Sequence, residues 1–110
     1  MSDRVRKAMA LDAIEDVIVN KCVDSVMESI RTTRHFQIIE RFSVKGAIKH
    51  ASEKYDTPFE ELWHDTLTMM RDSLLEAIGG FRNDHEYIRP YIEHGETVGL
   101  MVNFYMFDRR

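Results

Sequence analysis

The apolar positions of the chain keep a helical rhythm over most of its length and change to an extended one near the end. From Pro58 to Ile78, Phe59, Leu62, Trp63, Leu67, Met70, Leu74, Ala77 and Ile78 share one half of a 3.6-residue wheel. Glu60, Glu61, His64, Thr68, Arg71 and Asp72 share the other half. A long amphipathic helix is predicted, with Thr57 as its cap, Pro58 in the first position and Glu60 completing a capping box. Gly79 and Gly80 end it. Trp63, inside the apolar stripe, is expected at the centre of the core. Upstream, Ser43 is expected to cap a shorter helix that buries Val44, Ala47, Ile48, Ala51 and Tyr55. Only Asp56 and Thr57 part these helices, which predicts a tight helix-turn-helix pair.

The first thirty or so residues also favour helix, but their stripe changes sides. Ala10, Leu11, Ala13, Ile14, Val17 and Ile18 gather on one face, whereas Val19, Cys22, Val23, Val26, Met27 and Ile30 gather almost opposite. A regular helix cannot turn both stripes to one core. It either breaks near Val19 and Asn20 or stays whole and buries its second face in a partner. Unbroken, residues 3 to 31 would reach about 43 Å at 1.5 Å per residue, longer than a globule of this chain length is wide. A homodimer through Val19, Cys22, Val23, Val26, Met27 and Ile30 is therefore expected, with residues 1–33 as the dimerisation helix.

Two stretches read as extended. Phe36 to Phe42 fits one short strand. Glu86 to Glu93, a His94-Gly95 turn, and Glu96 to Phe107 read as a hairpin, because Gly95 supplies a positive φ and Val98 to Phe107 is rich in strand formers. Pro90 cannot donate to a ladder and so confines its arm to an edge. Apolar residues on both faces of the last strand suggest that it is covered on both sides, with the first helix as cover. The resulting order is helix, strand, helix, helix, strand, strand. That order resembles winged-helix domains, a likeness of architecture without signature residues. The fold class is α+β: a long N-terminal helix, a central helix-turn-helix pair, and a small antiparallel sheet with a C-terminal β-hairpin. The 110 residues form a single domain with a winged-helix-like core at 34–110.

Composition narrows the function. With 44% hydrophobic and 31% charged residues the chain is globular rather than disordered. No apolar run approaches the roughly 20 residues of a membrane span. The first residues lack a signal-peptide core, and Cys22 has no partner for a disulfide, so a cytoplasmic protein is expected. The net charge of −4 disfavours nonspecific coating of DNA. Were Pro58 to Ile78 a recognition helix, Glu60, Glu61 and Asp65 would meet phosphate, which opposes groove reading. The same acidic face, Glu60, Glu61, His64 and Asp65, suits a protein partner. Nucleic acid remains an alternative through phosphate contacts of Arg34, Arg41, Lys45, Lys49, Arg82 and Arg89.

Catalytic signals are sparse. Glu61-x-x-His64 sets a carboxylate and an imidazole one turn apart, as in di-iron bundles, but occurs once and on the polar face. There is no phosphate-binding glycine loop, nucleophile elbow or cysteine pair. The expectation is a small non-catalytic regulatory or adaptor protein acting by protein–protein interaction as a homodimer, without cofactor or metal. The alternatives are a winged-helix DNA-binding transcriptional regulator and a small metal-dependent enzyme.

Overall fold

The computed structural model describes residues 2–34, 37–79 and 88–105, the side chains at 104 and 105 excepted. Helix α1 (Asp3–Ile14) passes through a π-helical turn (Glu15–Val19) directly into α2 (Asn20–Thr32). There follow β1 (Gln37–Ser43), α3 (Lys45–Lys54), α4 (Phe59–Ile78), β2 (Ile88–Glu93) and β3 (Glu96–Tyr105). This is the α+β architecture and the element order that the hydrophobic pattern predicts. Phe36 and the outer ends of the expected hairpin, at Glu86, Tyr87, Met106 and Phe107, lie outside the described residues.

The π turn resolves the two opposed stripes. The backbone N–H of Asn20 donates to the Glu15 carbonyl, five residues back. Such a ring takes up one residue more than an α turn, so everything after it is rotated by about 100° relative to a regular helix. The buried positions are Ala10, Ile14, Val19, Cys22, Val26 and Ile30. Their spacing is four, then a single five across the turn, then three, four and four. Both stripes thus reach one core within one protomer. The assignment of Val19, Cys22, Val26 and Ile30 to a dimer contact is corrected: these side chains are at most 7% exposed, and Val23 and Met27 pack against the same cluster. The length argument falls with it. The molecule is itself elongated, 51 × 28 × 22 Å with a radius of gyration of 15.1 Å, where a compact domain of this length would give about 13 Å. Val17, left outside by the rotation, is 58% exposed.

Helix α4 is the axis of the core. Leu62, Thr66, Met70, Leu74 and Ile78 form its buried line, and α1, α2 and α3 all pack against it. Each aliphatic side chain fully buried here contributes about 1.5–3 kcal/mol. Thr66 is the one polar member, wholly buried with no partner for its hydroxyl among the described residues. Neither central helix starts with the expected side-chain cap. Helix α3 is preceded by Val44 and α4 by Pro58, and Ser43 belongs to β1. Thr57 is instead turned inward and donates to the Tyr55 carbonyl at 3.2 Å, while Ser52 donates to the Thr57 carbonyl at 2.6 Å. Asp56, at φ 50°, reverses the chain between α3 and α4.

The three strands run in the order β1-β3-β2, antiparallel throughout. His94 and Gly95 have φ of 50° and 81°, the two consecutive positive values of a type I′ hairpin turn. Pro90 sits on the edge strand β2, where its missing N–H costs no ladder bond. One face of the sheet, with Ile38, Ile88, Leu100 and Val102, closes the helical core. The first helix does not cover the other face. Ser25 of α2 donates to Glu40, which alternates onto the inner face of β1, so α2 lies on the core side.

Candidate interaction surfaces

The acidic start of α4 is bound internally. Lys7 of α1 places Nζ 2.9 Å from Asp65 and 3.4 Å from Glu61. The hydrogen bond to Asp65 leads in raising the Lys7 pKa above its ordinary value. Of the four residues expected to face a partner, Glu61 and Asp65 therefore tie α1 to α4, while Glu60 and His64 stay exposed. Glu61 turns to Lys7, not to His64. Among the described residues no three His, Cys, Asp or Glu side chains are grouped to hold a metal.

Trp63 lies at the surface edge of the core, not at its centre. It is half-buried and stacks on Phe59, ring centroids 5.6 Å apart and planes 19° from parallel. With Leu67 and Leu100 it lines a hollow of about 360 Å³ between α4 and β3, bordered by Glu60, His64, Thr68 and Arg71. The wheel placed Trp63 correctly by half but could not grade depth. Its i,i+4 spacing from Phe59 was the available signal, since such pairs stack along a helix surface.

Among the described residues, the cations proposed for nucleic acid do not form one patch. Lys45 is held by Glu96, whose pKa falls through that hydrogen bond. Lys49 stands exposed on α3 and Arg34 beyond the end of α2. Arg82 lies outside the described residues. Arg41 and Arg89 are brought together: both are registered with Met101, from the two sides of β3. Sequence reading missed this row because it depends on pairing between strands distant in the chain.

Three further features complete the surface. An apolar groove of about 370 Å³ beside the π turn is lined by Val17, Ile18, Ala47, His50 and Tyr55. An open cleft of about 780 Å³ lies between the start of α1 and the α3–α4 turn. Cys22 is 7% exposed, and burial first, then the Glu40 charge, pushes its thiol up to about 11, which keeps it protonated and unreactive near neutrality. No described helix is long and apolar enough to cross a membrane. Comparison with protein-family models, characterised proteins and solved structures found no match.

Proposed function

We propose that this chain is a small non-catalytic regulatory or adaptor protein that acts by protein–protein contact. The observation that carries this reading is the hollow at Trp63. Binding energy at protein interfaces concentrates in tryptophan, tyrosine and arginine anchors seated beside pockets and ringed by polar groups. Trp63 with Leu67 and Leu100 is such an apolar centre, and Glu60, His64, Thr68 and Arg71 form such a rim. Glu60 is the clean test, because reversing Glu61 or Asp65 would also release Lys7 and loosen α1 from α4. Affinity capture from host extract is expected to lose its specific partner with Glu60→Arg and with Trp63→Ala. The far-ultraviolet circular dichroism of Glu60→Arg stays that of the wild type. Equal capture by wild type and both variants refutes the reading.

A homodimer remains part of this proposal, on a different face from the one the stripes suggest. Val5, Met9 and Val17 are 46%, 44% and 58% exposed along the outside of the first helix. Arg4 lies near its start, and Asp12, Glu15 and Asp16 lie toward its end. An antiparallel second copy would bring each basic end onto an acidic one, the self-complementarity that a two-fold contact requires. Light scattering should give twice the 13.0 kDa chain mass, and Met9→Glu should halve the measured value. A wild-type monomer at micromolar concentration removes the dimer and leaves the Trp63 surface to its own test.

A further inference from the structure

We propose that the outward face of the sheet binds single-stranded nucleic acid. This goes beyond the protein-contact reading and uses a separate surface. Its centre is the row Arg41–Met101–Arg89, fixed by the register of β1 and β2 on β3. Neighbouring strands lie about 4.8 Å apart, so the two arginine backbones stand about 10 Å apart across Met101. Both arginines are exposed, and neither is ion-paired with a described residue.

The rows on either side carry uncharged groups. Ile39, 44% exposed, is registered with Asn103, and Gln37 donates from Nε2 to the Asn103 side-chain oxygen at 2.7 Å. Tyr91 is registered with Gly99, which brings no side chain of its own beside it. From Gln37 to Ser43, at Met101 and Asn103, and at Arg89 and Tyr91, no acid faces outward. Glu40 alternates inward to Ser25, and Glu93 and Glu96 sit at the hairpin turn, Glu96 holding Lys45. In a chain with 19 acids against 15 Lys and Arg, a face on which the described residues include no acid and two guanidinium groups without an ion pair to any of them marks charge complementarity to a polyanion.

The form of the surface selects a single strand. An open sheet face offers stacking area to unpaired bases through Tyr91, Met101 and the guanidinium planes, while the arginines take phosphates and the amides of Gln37 and Asn103 meet base edges. A duplex stacks its bases on each other and would meet the net negative charge of the molecule with only two phosphate contacts here.

The test is fluorescence anisotropy with labelled oligo(U) and oligo(dT) about twelve nucleotides long, within the usual site size for a single domain. Binding should weaken with salt at a log–log slope of about −1.4, the value for two phosphates neutralised on a single strand. The pair Arg41→Gln with Arg89→Gln should flatten that slope and lower affinity about tenfold or more. Tyr91→Ala should lower it about five- to a hundredfold through lost stacking. Lys49→Gln, a cation off this face, should leave it unchanged. If a variant is misfolded by circular dichroism, ultraviolet cross-linking of the wild type decides, with adducts expected on β2 or β3. Absent binding at about 20 mM salt, an equal loss with Lys49→Gln, adducts confined to the helices, equal binding of a hairpin duplex, or full competition by polyglutamate each overturns the proposal.

Discussion

At Gly99 the backbone of β3 runs so close to β1 that a Cβ built there would overlap the Phe42 carbonyl oxygen. Backbone cannot swing aside as a side-chain tip can, so Gly99→Ala must displace a strand. The expected cost is at or above the upper end of the about 1–3 kcal/mol typical of overpacking. Gly46 is the counterexample: in α3 a Cβ meets nothing within 4 Å. There Gly46→Ala should stabilise by about 0.4–1 kcal/mol by restricting the unfolded chain. Urea denaturation of the two variants checks both signs. The sequence sets one glycine in a helix and the other in a strand but does not show the Phe42 carbonyl that separates their fates, because that neighbour is distant in the chain. By contrast, the positive φ of Gly95 was legible from its place between two extended runs, since turn chemistry is local.

Among elements, α3, α4 and all three strands were legible because each alternates apolar and polar positions at the period of its own geometry. The passage from α1 to α2 was not. A wheel assumes a constant rotation per residue, and the π turn at Glu15–Val19 breaks that assumption at a single place. The same reasoning gives a sharp test. Deleting Val17 removes the extra residue, and a regular α-helix then keeps Ala10, Ile14, Val19, Cys22, Val26 and Ile30 on the core side. Its stability should stay within about 1 kcal/mol of wild type, since only an exposed side chain is lost. Deleting Asp24 puts either Val26 and Ile30 or Val19 and Cys22 out of phase by about 100°. That variant should lose several kcal/mol, as truncation of more than one buried aliphatic does. Thermal melts that rank the two deletions the other way would refute the phase account. Of the candidate surfaces, the acidic end of α4 was legible as a face, but its tether to Lys7 was not, because Lys7 and Glu61 are 54 residues apart in the chain.

For the molecule as a whole, one long helical rod and α4 run side by side, and the sheet closes one flank of their shared core. Opening that core is what unfolding means here, and Cys22 sits inside it as the chain's single cysteine. Its raised thiol pKa adds an alkaline signature. A group whose folded pKa exceeds the unfolded one stabilises below the unfolded value, here about 9, and that contribution is lost as pH climbs through about 11. Denaturation midpoints should therefore fall between pH 9 and 11 in the wild type, with this component absent from Cys22→Val. Near neutrality, a thiol buried in the shared core meets a chemical reagent only in those moments when the elements around it part company. The rate at which a disulfide reagent such as 5,5′-dithiobis(2-nitrobenzoate) consumes the native protein, measured against the unfolded chain, then counts those partings directly. Any ligand that clasps the folded form must slow that count in proportion to its grip. Without label or mutation, the lone sulfur is thus a built-in meter for whatever partner the surface takes.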